Sequence, residues 1–269
     1  MDRAQLRQRE ERIAELARSF MEARSFFVNF VEPYGHGSRI DFPTLHEFVE
    51  LDLFNLKEEC HLVFRPREQS APSTATTGVL FDILIGSIFH EMMKVKENIY
   101  HLEVYAPMVE RLTERARNGS IPQFERDFIR AYRRIERRAR GSLRTDIQGI
   151  AEIFRDAADN LRTLLRENRH SSLLPRVLIE NEDLVRQTYG ENGLDETLSY
   201  MFDGDLAEAF LTAGRDFLEG GWYDKADAMF DRALSIDPSR HLAVQLKKRV
   251  AEALAEIHTA NNNTLRTAP

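Results

Sequence analysis

His90, Lys94, Glu97 and His101 follow one another at spacings of four, three and four within the stretch FHEMMKVKENIYHLE, so a helix would set all four on one face. Imidazole and carboxylate side chains gathered in this way hold transition metals or pass protons. A helical zinc motif needs a second histidine four residues after the first, and Lys94 stands there, a cation among would-be ligands. A two-metal carboxylate bundle needs two Glu-x-x-His pairs on facing helices. The chain offers Glu58 with His61 and Glu167 with His170, the second pair at a helix end beside SSLLP. A di-iron-like site drawn from Glu58, His61, His90, Glu97 and His101 is therefore the alternative reading. The leading one is a solvated helix face on which Lys94 pairs with Glu91 and Glu97, with no catalytic residue, metal or cofactor expected.

Two smaller features point the same way. Cys60 and His61 are adjacent, so on a helix their side chains diverge by about 100° and form no nucleophilic dyad. Cys60 instead extends the apolar stripe of Phe48, Val49 and Leu56. The GHGS at 35–38 has neither a strand before it nor a lysine, and reads as a turn rather than a phosphate loop.

The run RDFIRAYRRIERRARGSLR is a different kind of candidate. Arg126, Arg130, Arg133, Arg137, Arg140 and Arg144 keep close to one helical face, with Arg134 and Arg138 beside it. Between Arg111 and Arg144 eleven arginines face four acids, a balance of +7, whereas 175–238 holds fifteen acids against five Lys and Arg, a balance of −10. Such a face is solvated, paired within the chain, or set against an acidic protein surface. A nucleic-acid backbone or an anionic membrane is a weaker reading, because the chain carries a net charge of −7 and its aromatics Phe124, Phe128 and Tyr132 follow the apolar side of this helix instead.

Helices must position all of these residues, and the periodicity is helical almost throughout. Leu6, Ile13, Phe20 and Phe27 form one heptad seam, with Leu16, Ala23 and Phe30 in the alternate one, ending at the turn-rich EPYGHGS. A second helix follows Pro43 and ends near Pro66, and the polar stretch PREQSAPSTATTG is expected to be a mobile loop. A long helix then starts near Gly78, with Phe81, Ile88, Val95, Leu102 and Val109 in one seam and Ile85, Met92, Ile99 and Ala106 in the other. Pro107 is expected to kink or end it. The arginine helix follows and passes Gly141. No stretch alternates as a strand does. The expectation is an all-α chain, with a long-helix antiparallel bundle over 1–170, a helical region over 171–260 and a disordered tail at 261–269. The aromatics Phe20, Phe26, Phe27 and Phe30 would anchor either a homo-oligomer or the bundle itself.

The C-terminal third carries a motif of its own, AFLTAGRDFLEGGWYDKADAMFDRALSIDP. Phe210, Ala213, Gly214 and Phe217, then Tyr223, Ala226, Phe230, Ala233 and Pro238, stand at the spacings of a tetratricopeptide repeat, and residues 207–240 resemble one such unit, with a capping helix reaching to about 258. Phe210 and Ala213 depart from the usual Trp and Leu. The resemblance implies a pair of closely packed helices, the first of which lines a groove for a peptide or helix. Its groove residues would be Glu208, Leu211, Arg215, Leu218 and Glu219. The carboxylate clamp of some relatives is not supported, since Leu211 and Arg215 occupy the positions of its Lys and Asn.

Composition bounds the remainder. At 269 residues, 42% hydrophobic and 30% charged, the chain is a globular protein with material for a core. No apolar run is long enough to cross a bilayer. The longest, GVLFDILIGSIF, reads as the start of a buried helix. A charged first stretch without a signal segment and a single cysteine fit a cytoplasmic location. The function expected is that of a non-catalytic adaptor or scaffold that engages other proteins and itself.

Overall fold

The computed structural model describes residues 3–38, 41–64 and 72–266, and every regular element among them is helical. The all-α class is thus what the chain adopts. In order, α1 (Arg3–Phe26) runs into a π-helical turn (Phe27–Val31) and a 3-10 turn (Glu32–His36). α2 (Phe42–Glu47), a second π turn (Phe48–Leu53) and α3 (Phe54–Phe64) follow. The long helices α4 (Pro72–Asn118) and α5 (Gln123–Glu167) come next, then α6 (Leu173–Glu180), α7 (Glu182–Tyr189), α8 (Gly193–Met201), α9 (Leu206–Glu219), α10 (Tyr223–Ile236) and α11 (His241–Arg266). The contacts divide them into two compact units, Glu22–Asp159 and Met1–Met21 with Asn160–Pro269, so the division falls inside α1 and α5 rather than near residue 170.

The central unit, Glu22–Asp159, is built on helix seams. Phe81, Ile85, Ile88, Met92, Val95 and Ile99 of α4 are all buried, together with Leu45, Phe48, Val49, Leu53, Leu56 and Cys60 from the α2–α3 segment. From α5 come Leu143, Ile147, Ile150 and Phe154, the last packing its ring 4.9 Å from that of Phe27. Two polar ties fix α3 and its preceding π turn on α4: His61 Nδ1 lies 3.0 Å from Asp82 Oδ2, and the buried Lys96 ammonium donates to Glu50. That bond, opposed by burial, draws the Glu50 carboxyl below its ordinary range. Beyond about residue 100 the α4–α5 hairpin continues on a small core of its own, Val109, Ile121, Ile129 and Tyr132.

Several expectations change at this level. The helix expected near Gly78 begins at Pro72, so only residues 66–71 of the expected loop remain, and they lie outside the described residues. Pro107 does not end α4, which runs through it to Asn118. Proline withdraws one N–H from the ladder, and here packing against α5 holds the turn together. Tyr132 of α5 donates its hydroxyl to the Leu102 carbonyl at 2.7 Å in that same region. GVLFDILIGSIF is buried on one side only, since Leu80 and Ile83 are exposed while Phe81, Ile85 and Ile88 are not. The N-terminal seam packs largely within the protomer. Phe20 and Phe27 are buried in the protomer, and Phe26 stacks on Phe48 at 4.1 Å. The π turn then inserts a residue into the register and turns Phe30 out, 58% exposed. The side chain of Leu6 lies outside the described residues.

The other unit collects Ile13, Leu16 and Phe20 of α1, Leu161, Leu164 and Leu165 of α5, and the short helices α6–α11. Its centre is the α9–α10 hairpin. A Cβ on Gly214 would fall 2.5 Å from the Phe230 ring, so only glycine permits this approach, and Ala226 and Ala233 on α10 are fully buried beside it. The linking turn is a C-terminal glycine cap. Gly221 sits at φ 78°, with Gly221 N donating to Leu218 O at 3.1 Å and Trp222 N to Phe217 O at 2.8 Å. α11 runs to Arg266, into the expected tail, and residues 267–269 lie outside the described residues.

Candidate functional site

α9 starts from a capped end. The Asp205 carboxylate accepts from Glu208 N at 3.0 Å, which fixes the register of every residue that follows. With a helical repeat of 3.6, Ala209, Phe210, Ala213, Gly214 and Phe217 turn to the core, while Thr212, Arg215, Leu218 and Glu219 come to the outside. Two adjoining open hollows flank that outer strip, each of about 430 Å³. One lies against α11 and is lined by Arg215, Leu218, Glu219, Tyr223, Leu242, Leu246, Arg249 and Ala253. The other, lined by Glu208, Thr212, Arg215 and Glu219, is closed on its far side by Arg169, His170, Ser172 and Phe202. Arg215 and Glu219 belong to both.

Of the five groove residues expected on α9, Arg215, Leu218 and Glu219 stand in this groove. Leu211 does not. It is 1% exposed and part of the core, because the helix turns that position inward and not towards solvent. Glu208 lines one hollow but is already engaged, accepting from Arg240 Nη1 at 2.6 Å. The same guanidinium also donates to Asp205 and, through Nε at 3.0 Å, to Asp237, so three carboxylates share one arginine where α11 begins. Arg215 and Arg249 form no ion pair among the described residues.

A charged network braces the groove's back wall. Ser172 Oγ and Arg176 Nη1 each donate to Asp216 at 3.0 Å, and Arg176 and Lys225 hold Glu180 at 3.2 and 2.8 Å. Burial pushes the Glu180 carboxyl up, but the Lys225 and Arg176 bonds outweigh it and leave the group below its ordinary range. Lys247 of α11 reaches Asp227 and Asp231 of α10 at 3.2 and 2.5 Å. These bonds set α6, α10 and α11 around α9 and leave its outer strip open. Glu180, Arg240 and Lys247 are missing from the sequence reading. Glu180 and Arg240 each have one partner at a spacing of four or three, Arg176 and Asp237. The bonds that tie one element to another, from Lys225 to Glu180, Arg240 to Glu208 and Lys247 to Asp231, span 16 to 45 residues and leave no local signal.

The remaining candidates disperse. His90, Glu97 and His101 are exposed on α4, Glu58 pairs with its neighbour Lys57 at 3.0 Å, and His61 is tied to Asp82. Among the described residues no three His, Cys, Asp or Glu side chains converge as metal ligands would. Lys94 bonds Glu91 at 2.7 Å, as a wet helix face does. Cys60 is fully buried, and burial pushes its thiol far above the ordinary range. The six arginines singled out on one face of α5 are exposed but internally engaged. Arg126 donates to the Ile121 carbonyl at 3.2 Å, Arg130 lies 3.6 Å from Asp127 and Arg133 donates to Thr113 at 3.4 Å. Arg137 donates to Arg133 O at 3.3 Å, Arg140 to Glu136 at 3.0 Å and Arg144 to Gly35 O at 3.1 Å.

No family model, curated protein or solved structure matches the chain. No helix among the described residues is long and apolar enough to cross a membrane.

Proposed function

We propose that the protein is a non-catalytic adaptor whose α9–α11 groove takes up a segment of a partner protein. One observation carries the reading: the outer strip of α9 is left open between the 169–172 turn and α11, with Arg215, unpaired among the described residues, beside Leu218, Leu242 and Leu246. A mixed polar and apolar lining, with Leu218 and Leu242 beside a guanidinium that forms no ion pair among the described residues, suits a peptide that sets aliphatic side chains around one carboxylate. The tetratricopeptide resemblance of 207–240 supports it, because Gly214 and Phe230, two of its motif positions, meet in the close contact of α9 with α10. A single buried cysteine suits a reducing, cytoplasmic setting. Of the aromatics expected to anchor self-association through 6–30, Phe20 and Phe27 pack inside the protomer and Phe30 stays exposed.

The test is affinity capture with the full chain as bait, compared with an Arg215→Glu/Leu218→Asp variant. A partner retained by the wild type and lost by the variant, at unchanged melting temperature, is the expected result. Retention by both rejects the groove.

A further inference from the structure

The outer half of the α4–α5 hairpin carries a second groove, independent of α9. Leu102 and Tyr105 of α4 and Phe128, Ala131, Ile135 and Ala139 of α5 line a hollow of about 350 Å³. Its floor is almost wholly apolar. Tyr132, which also faces it, has its hydroxyl bonded to the Leu102 carbonyl, so the ring presents carbon to the groove. Ile135 is 61% exposed and Tyr105 46%, and Phe124 continues the strip at 72%.

The spacing on both helices, with 128, 131, 135 and 139 on one and 98, 101, 102 and 105 on the other, is that of a seam which in a three-helix bundle receives a third helix. We propose that this groove binds an acidic amphipathic helix from a partner protein. Arg134 and Arg138 directly precede two of the lining residues, are exposed, and form no hydrogen bond or ion pair among the described residues, in contrast to the six arginines farther round α5. The segment 111–144 as a whole stands at +7. A second copy of the hairpin would bring the same excess against itself, which opposes a homodimer here. The chain's own acidic stretch, 175–238, does not serve, because α6–α10 bury their apolar faces in their own unit. A membrane is a poorer fit than a helix, since the apolar atoms line a hollow between two helices instead of a convex ridge.

The experiment is display selection on the full chain from a library of amphipathic helices with a fixed apolar stripe and randomised flanking positions. Ile135→Asp serves as the counter-target. Ile135 is exposed, so this change leaves the fold intact, and a thermal melt of the variant verifies it. The expected survivors carry acidic flanks. A synthetic survivor should bind about tenfold more weakly to the Arg134→Glu/Arg138→Glu variant, and more weakly still to Ile135→Asp. The proposal is overturned by an absence of survivors, by neutral or basic flanks, or by binding that ignores Ile135→Asp. Flotation of the chain with vesicles containing phosphatidylserine, or a dimer in light scattering that Ile135→Asp dissolves, would equally overturn it by assigning the groove to lipid or to a second copy.

Discussion

Leu211 and Arg215 are one helical turn apart on α9, yet one is sealed in the core and the other lies open between two hollows. Their substitutions should therefore separate stability from binding. Leu211→Ala removes a fully buried side chain and is expected to cost about 2–5 kcal/mol by chemical denaturation, while Arg215→Glu leaves the midpoint nearly unchanged. At the other polar tie, Glu50→Ala strands the buried Lys96 ammonium. A loss of about 1–3 kcal/mol is expected, against less than about 0.5 kcal/mol for the exposed Glu97→Ala. Equal effects at Glu50 and Glu97 would refute this assignment of the ammonium.

At the scale of elements, packing decides what propensity leaves open. Pro107 lies inside α4 because α5 supplies the packing there, Tyr132 included, that local sequence cannot. The α9–α10 hairpin depends on one atom's absence at residue 214. Gly214→Ala would drive a methyl into the Phe230 ring, 2.5 Å from its nearest carbon, and is expected to destabilise by about 1–3 kcal/mol. The same exchange at Gly149, where a Cβ meets nothing within 4 Å, should instead be neutral or stabilising, as a glycine inside a helix usually is. Paired thermal melts of the two variants check this directly.

At the scale of the whole molecule, charge is unevenly spread, and part of it is bound into folding. Glu180 titrates below its ordinary range in the folded chain, so its network stabilises the protein above the unfolded carboxylate value of about 4.3 and loses that contribution as the pH falls through the lower, folded value. Melting temperatures of wild type and Glu180→Gln should thus differ at pH 7, by an amount equivalent to about 1–2 kcal/mol, and converge in acid. A gap that persists at pH 2 would place the effect in packing and not in charge. The +7 segment of 111–144 and the −10 segment of 175–238 meet different fates: the acids are largely tied to arginines and lysines of their own unit, whereas Arg134 and Arg138 are left for solvent or a partner.

The sequence by itself determined what depends on near neighbours: helices throughout, the seams of α4, the close hairpin at Gly214, the wet face at Lys94 and the buried Cys60. Each follows from a spacing of three or four residues, or from the absence of a side chain. Only the tertiary structure decided which apolar faces found a partner. The seam of Phe20 and Phe27 read equally as a dimer surface or as bundle packing, and burial decided for packing within the protomer, while Leu211 read as groove until the α9 register turned it inward. The unoccupied groove beside Ile135 was invisible for the same reason. A buried seam and an open one have the same period, and only the placement of the neighbouring helices tells them apart.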